Sequence, residues 1–481
     1  MSNLSDLLPS GGGSKSAEFV ASGTLPNGKP VILNSNGTVT AVAEIAASLG
    51  SAASTFTGGL GLSVSMLTDT TFVGCGNDAG NSGIAACVIG TVSGGNITFG
   101  TQVSAGTSAS PETIQVQAIS ATQFVVIYKD TSNGNKGTVV GATVSGNSIT
   151  FGTAVIFESG QTSLNPENVC TPLSDTQFVI VFEDASNSSK AKAIVGTINS
   201  SNVVSIGATN VFATPNSSKY SVVSALSSTK IAIAWSDTPT GPAQGKVCIG
   251  TVSGTSISFG SAVVYDSPQI IRQSIAALSE TKFVIAYQTN FTTTPKIGKA
   301  IIGTVSGTTI TLGTPTTFTS TDLGNNFPSV VKISDIEFSI VYPGTSGYGN
   351  IILGSVAGTS ITYDTPVVYT SSYINNFYST YSATSGIVIG YDLTDFTSVA
   401  YSLRSTNLTS TNFVGMPDAA YSSGATATVV AKGGVSLNQT SLTIGTTYYV
   451  QEDGTLATSA DTISVEAGRA ISATSILLKG K

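Results

Sequence analysis

A unit of about fifty residues returns seven times along this chain, and a period of that length constrains the fold before any local pattern is read. One copy reads LSETKFVIAY at 278–287 and closes with GTVSGTTITLG at 303–313. Its apolar half recurs as LTDTTFVGCG (67–76), ISATQFVVIY (119–128), LSDTQFVIVF (173–182), LSSTKIAIAW (226–235), ISDIEFSIVY (333–342) and SATSGIVIGY (382–391). The first large apolar residue of each copy is Phe72, Phe124, Phe178, Ile231, Phe283, Phe338 and Ile387, so the successive spacings are 52, 54, 53, 52, 55 and 49.

Each copy reads as four strands. The first is short and carries small side chains, as in GLSVSML (61–67), IQVQAIS (114–120), YSVVSALS (220–227) and RQSIAALS (272–279). The second is apolar at nearly every position, the pattern of a strand covered on both faces. In six copies it ends on an aromatic ring: Tyr128, Phe182, Trp235, Tyr287, Tyr342 and Tyr391. A tight Ser-Gly type of turn joins the third strand to the fourth, as in GTVSGGNITFG (90–100) and GTVSGTSISFG (250–260). The seventh copy has YSLRSTNLTSTNFVG (401–415) in place of that motif. An open solenoid and a closed propeller both satisfy such repetition. Blade-sized units, doubly covered second strands and small residues suited to a crowded axis favour the propeller. The predicted fold is all-β: a seven-bladed β-propeller of four-stranded blades over 61–410, plus a small β-barrel or sandwich built from both termini.

Residues 1–16, MSNLSDLLPSGGGSKS, are predicted to form a flexible arm or docking peptide, with Leu4, Leu7 and Leu8 ahead of Pro9. Residues 44–60 read as a connector. The segments 17–43 and 411–481 both alternate apolar and polar residues. Asn36-Gly37 is a hairpin signal, echoed by Asp453-Gly454. A closed ring returns its ends to one place, so these two segments are expected to fold jointly as a terminal anchoring module. The long second-to-third connections (129–136, 236–246, 288–299) and the connections between blades share one face of the disc. Variable loops on a rigid scaffold carry recognition; packing against the terminal module is the other reading.

Composition narrows function by exclusion. Charged residues are 9% of the chain, against about 25% usually, while 41% hydrophobic residues argue for a packed core. A net charge of −7 without any basic run argues against nucleic acid. No apolar stretch reaches the ~18–20 residues of a membrane span, and the N-terminus lacks the pattern of a secretory signal. Histidine is absent, which removes the commonest general base and metal ligand and with them Ser/His/Asp and Cys/His nucleophilic sites. Acids such as Asp130, Glu183, Asp184, Asp237 and Asp392 fall at the ends of second strands, where turn-forming Asp is expected, and no glycosidase-like pair or calcium loop is evident. A non-enzymatic chain with no catalytic, cofactor or metal site is therefore expected. Cys75, Cys87, Cys170 and Cys248 form no C-x-x-C. Cys75 and Cys87 can face each other across a hairpin, but buried free thiols are the expectation. One cluster stands out as a ligand-binding candidate: Tyr369, Tyr373, Phe377 and Tyr378 beside Asn375 and Asn376, between the sixth and seventh blades. Rings beside amides suit a sugar or a partner protein; the alternative is that these rings fill gaps between blades.

The terminal segments ASGTLPNGKPVILNSNGTVTAV, NFVGMPDAAYSSGATATV, SLTIGTTYYVQEDGTL and AGRAISATSILLKG resemble a module of tailed-bacteriophage virion structural proteins of the fibre or decoration type. The SxTKFVIAY…GTVSG repeats also look like phage-encoded propellers. The resemblance covers roughly 100 residues and brings no catalytic residues. It implies a virion protein, as tail or neck fibre or capsid decoration. Its terminal module would attach to other virion proteins, in several copies or as a homo-oligomer, and its propeller would bind a host-surface glycan or a partner. A cellular lectin-like adhesin and a polysaccharide-degrading propeller are the alternatives.

Overall fold

The structure is a computed structural model and describes all residues except 1–14, 58–61, 82, 106–110, 165–167, 214–217, 238–242, 290–294, 325, 345–346, 375, 393–394, 404, 461–462 and 480–481. Most of the predicted arm, and Asn375, thus lie outside the described residues. The chain divides into two compact units, 49–402 and 1–48 with 403–481.

The larger unit is a ring of antiparallel four- to five-stranded blades, one for each copy of the repeat. The fifth is representative. Ile271–Ser279 pairs with Lys282–Gln288, which pairs with Gly298–Ser306. The outer edge is split into Thr309–Leu312 and Thr316–Thr319, both bonded to the third strand. The second and third blades share one continuous sheet, because Val155–Ser163 runs on to pair with Gln177–Asp184. The seven innermost strands are Ser63–Met66, Pro111–Ser120, Cys170–Ser174, Ser218–Ser227, Ile271–Ser279, Ser329–Ser334 and Phe377–Ser382. Each abuts the next, and the last returns to the first.

The uninterrupted apolar run of the second strand has a direct cause. Phe283, Ile285 and Tyr287 enter the core shared with the fourth blade, while Val284 and Ala286 enter the core shared with the sixth. Alternate side chains point to opposite faces of a strand, and here both faces are covered. The glycines of GTVSG are needed for two different reasons. At Gly303 an added Cβ would lie 2.1 Å from the Phe283 ring, so the glycine makes room for that ring. Gly307 has nothing near it but takes φ +62° in the turn, a region costly to other residues.

Inner strands are tied to their neighbours by side-chain hydroxyls. The Ala118 amide donates to Ser65 Oγ at 3.0 Å, Ala225 to Thr171 Oγ1 at 3.0 Å, Ala277 to Ser224 Oγ at 2.9 Å and Met66 to Thr380 Oγ1 at 3.1 Å. A second level carries Val116 to Ser63, Val330 to Ser274 and Ser379 to Ser329, each at 3.1 Å. The bond from Met66 to Thr380 is the same device at the ring's seam. At the junction of the second and third blades the corresponding residues are Gln117 and Pro172, and Pro172 has no N–H to give.

Three expectations need correction. The stretch 44–60 is not only a connector: Ala53–Thr57 pairs with Asp395–Ser402 as the outer strand of the last blade. The edge left vacant by the missing motif in that copy is therefore filled from the other end of the ring. The end of that blade at Ser402 also places 403–410 with the terminal unit. Finally, Cys75 and Cys87 are joined as a disulfide rather than free, because the register sets them directly opposite each other; Cys170 and Cys248 are free and buried.

In the smaller unit both chain ends share one sheet. Ser16–Val20 pairs with Thr426–Ala431, which pairs with Phe413–Pro417, then Val31–Leu33 and Val39–Ala41. A second sheet runs Val435–Ser436, Ser475–Leu478, Val465–Ser472, Thr447–Val450 and Leu456–Ala457. Phe413 and Met416 of the first sheet meet Val450, Ala467 and Ile476 of the second in one apolar core.

Candidate functional site

Backbone strain marks one end of the inner-strand ring. Thr113 (φ 53°), Asn168 (φ 43°), Tyr220 (φ 59°) and Arg272 (φ 53°) enter or precede the inner strands of four consecutive blades. In three of these blades two inner-strand residues oppose one residue of the second strand: Thr113 and Ile114 against Tyr128, Tyr220 and Ser221 against Trp235, Arg272 and Gln273 against Tyr287. Positive φ at a residue other than glycine costs on the order of 1–3 kcal/mol and persists only where the surroundings impose it. Such bulges re-aim side chains.

The re-aimed side chains meet at Arg272. Its guanidinium carbon lies 5.5 Å from the Phe327 ring centre and 6.0 Å from that of Tyr220, and the two rings stand edge to face at 5.5 Å. All three side chains are half-buried. Arg272 Nη1 donates to Gln288 Oε1 at 3.3 Å, and Gln288 Nε2 donates to the Gly324 carbonyl at 2.8 Å. Burial lowers the Arg272 pKa from its ordinary value, against the pull of Tyr220.

Beneath the cation is a buried polar layer. Ser236 Oγ donates to Gln273 Oε1 at 3.0 Å, and Gln273 Nε2 donates to the Tyr220 carbonyl. Ser274 Oγ donates to Asn168 Oδ1 at 2.5 Å, bridging the fifth blade to the third. Glu183 accepts from the Ser221 amide at 3.1 Å and the Ser221 hydroxyl at 2.9 Å. Burial pushes the Glu183 carboxyl up to about 7, against the pull of those donors. The arrangement offers the Arg272 cation between two aromatic rings.

The aromatic cluster singled out in the sequence is mostly packing. Tyr369, Phe377 and Tyr378 are buried and present no open face. Tyr369 meets Tyr391 edge to face at 5.5 Å. The same clasp links Phe157 to Phe182, Phe212 to Trp235, Tyr265 to Tyr287 and Phe318 to Tyr342, each pair joining the outer strand of one blade to the second strand of the next. This explains why those second strands end on a ring. Tyr373 is 63% exposed, and Asn376 is half-buried with its Nδ2 lacking a hydrogen bond. Among the described residues of the cluster, Tyr373 and Asn376 alone are not buried. The acids at second-strand ends are engaged locally: Asp184 and Glu158 both pair with Lys192, and Asp237 pairs with Lys246. The sequence carries no marker for Tyr220, Arg272 and Phe327, because RQSIAALS reads only as a strand start and a bulge without glycine leaves no signal.

Among the described residues no group of three or more Cys, Asp or Glu side chains converges as a metal site. In the smaller unit, residues 27–30, 438–442 and 454–456 with Tyr448 line a cleft of about 500 Å³, in which Lys29 is the one charged side chain.

Fold and site together define a β-propeller with a terminal β sandwich. No family model matches the chain, and no curated protein sequence matches it. Among solved structures, the chain is similar to a fungal lectin of six-bladed β-propeller fold from Aleuria aurantia, at 12% identity over 65% of this chain and 96% of that one, with a TM-score of 0.42. It is similar to the BP39L lectin of Burkholderia pseudomallei at 10% identity, covering 72% and 97%, with a TM-score of 0.49. It is also similar to an ulvan lyase of polysaccharide lyase family PL25 at 8% identity, covering 81% and 96%, with a TM-score of 0.45. None of these likenesses supplies a residue role here.

Proposed function

We propose that the chain is a non-enzymatic glycan-binding propeller, that its ligand is an acid-bearing sugar held at Arg272, and that its terminal sandwich attaches it to a virion. The observation that carries the ligand reading is the half-buried Arg272 guanidinium between the Tyr220 and Phe327 rings, on strained backbone. A sugar ring stacks on an aromatic face, and a guanidinium recognises a carboxylate or sulfate through paired donors. The net charge of −7 repels an anion at long range, so selectivity must come from contact at Arg272.

Binding without turnover is favoured by the absence of histidine and by the state of the buried thiol and phenols, while the Glu183 carboxyl, pushed up to about 7, is the base that the cleavage assay has to exclude. Burial pushes the Cys248 thiol up to about 12 and raises Tyr265 and Tyr369 well above the ordinary phenol value, which leaves these groups protonated and unreactive. The attachment role rests on the resemblance of the terminal segments, together with the joining of both ends in one sheet.

The test is a polysaccharide panel of uronate-bearing, sulfated and neutral chains, with the products assayed for cleavage. Binding to an acidic polysaccharide is expected, weakened about tenfold or more by Arg272→Gln, equivalent to ~1.4 kcal/mol. Preference for neutral chains, an unaffected Arg272→Gln protein, or release of oligosaccharides would each overturn it.

A further inference from the structure

Glu183 stands near the end of the second strand of the third blade, Gln177–Asp184, and is 4% exposed. Its carboxyl crosses the blade boundary to the residue that follows Tyr220. Ser221 gives it both an amide, at 3.1 Å, and a hydroxyl, at 2.9 Å. Ser221 is the second residue of the bulge in which Tyr220 takes φ 59°. Two donors from one residue fix its backbone, and a bulge held in that way aims the neighbouring side chain. The Tyr220 carbonyl is gripped from the fifth blade by Gln273 Nε2, and Gln273 follows Arg272 in the chain. A connected path therefore runs from a buried carboxyl, through Ser221 and Tyr220, to the residue beside the Arg272 guanidinium.

The elements packed around Glu183 bring these charged and polar groups to it. Ser163, on the outer strand of the second blade, stands opposite Glu183 and bonds to it. Lys219, at the start of the fourth blade's inner strand, favours the ionised carboxyl. On the third strand Ala191 lies opposite Glu183, flanked by Lys190 and Lys192. Lys192 is paired with Asp184 and Glu158. Despite the cost of burial, that pairing holds Asp184 below and Lys192 above their ordinary values, so both keep their charge around neutral pH. Histidine, the usual neutral-range switch, is absent from the chain. Burial, opposed by the Ser221 and Ser163 donors and by Lys219, pushes the Glu183 carboxyl up to about 7. Hydrogen bonds to an ionised acceptor are roughly twice as strong as neutral ones. The hold on Ser221 is therefore firm with the proton off and slack with it on.

We propose that Glu183 is a positioning residue for the Arg272 site: its ionisation tightens the bulge that sets Tyr220 against Arg272 and makes the site pH-sensitive. The consequence for ligand affinity rests on the acid-sugar reading of the site, whereas the coupling of Glu183 to Arg272 does not.

The sequence holds three arginines, Arg272, Arg404 and Arg469, so labelling the guanidinium carbons with 13C gives three NMR signals in the full chain, and Arg272→Gln assigns one by its loss. Without ligand, the Arg272 signal should titrate between pH 5 and 9 with a midpoint near 7. In Glu183→Gln, which keeps an acceptor for Ser221 without a charge, it should stay at its acid position throughout. In the second arm the parent should bind polygalacturonate or dextran sulfate about threefold more tightly at pH 8 than at pH 6, and Glu183→Gln should bind equally at both. An Arg272 signal that is flat with pH, or that titrates alike in Glu183→Gln, overturns the proposal. So does tighter binding by the parent at pH 6. A titrating Arg272 signal in a protein that binds neither polysaccharide upholds the coupling and overturns the acid-sugar reading instead.

Discussion

Glu183 is the one described carboxyl whose burial, between the third and fourth blades, has a clear consequence for stability. Its pKa in the fold is about 7 against an ordinary 4.5. A raised folded pKa means that folding is favoured when the proton is present. The contribution is full below about pH 4.5 and is lost as pH rises towards 7. Glu183→Gln keeps an acceptor for Ser221 and removes the charge. Its urea midpoint should match the parent at pH 4 and exceed it at pH 8, with a ceiling of ~3 kcal/mol; equal midpoints at pH 8 would refute the buried-charge account. The two glycines of one motif make a second residue-scale contrast. Gly303→Ala drives a methyl into the Phe283 ring, an overpacking cost of ~1–3 kcal/mol. Gly307→Ala meets no atom and bears only the left-handed backbone, ~1–2 kcal/mol. Thermal melts should show the larger loss at Gly303 and show restoration by Phe283→Leu there alone.

Between elements, the hydroxyl-to-amide bond made by Ser65 with Ala118 has no counterpart at the junction of the second and third blades, where Gln117 and Pro172 occupy the two partner positions. Gln117→Ser with Pro172→Ala supplies both an acceptor and a donor. A double-mutant cycle should yield a favourable coupling of ~1 kcal/mol. Additive singles would mean that the strands are too far apart for the bond. This level was only partly legible in the sequence. The small hydroxylated first strands pointed to a crowded axis, but not to which amide each hydroxyl meets. The rings ending the second strands were visible, while their partners one blade earlier were not, because each pair spans a variable connection. Tyr369 looked like a surface ring for that reason, although VVYT at 367–370 aligns with VVYD at 263–266, where Tyr265 makes the same clasp. The site at Arg272 was hidden for a different reason: positive φ at Tyr220 and Arg272 is imposed by the fold and leaves no composition signal.

At the scale of the whole molecule, period and apolar runs were enough to read a ring, but not where it is sealed. The last copy lacks its fourth strand, and STFT at 54–57 echoes TTFT at 316–319, a signal too short to place without the pairing. Ala53–Thr57 lies some 340 residues from its partner strand, so the pairing that completes the last sheet also joins the two ends of the propeller. Because it joins sequence-distant segments, it closes a long loop and restricts the unfolded chain little until late in folding. Replacing 53–57 by Gly-Ser-Gly-Ser-Gly removes the strand's side chains and weakens its pairing while leaving the chain length unchanged. Asp395–Ser402 then keeps only its short pairing with Ser48–Leu49 along that edge, and the first and last blades keep their shared core, the Met66–Thr380 bond and the bonds from the Ser382 and Ser385 hydroxyls to the Asp69 carbonyl. Unfolding should begin at this seam: amides of 395–402 should exchange with solvent well before those of Lys282–Gln288, and the single denaturant transition should broaden or split. If exchange at 395–402 stayed as slow as in the parent, the ring would be held by its blade interfaces alone, and the strand crossing from the start of the propeller to its end would be dispensable.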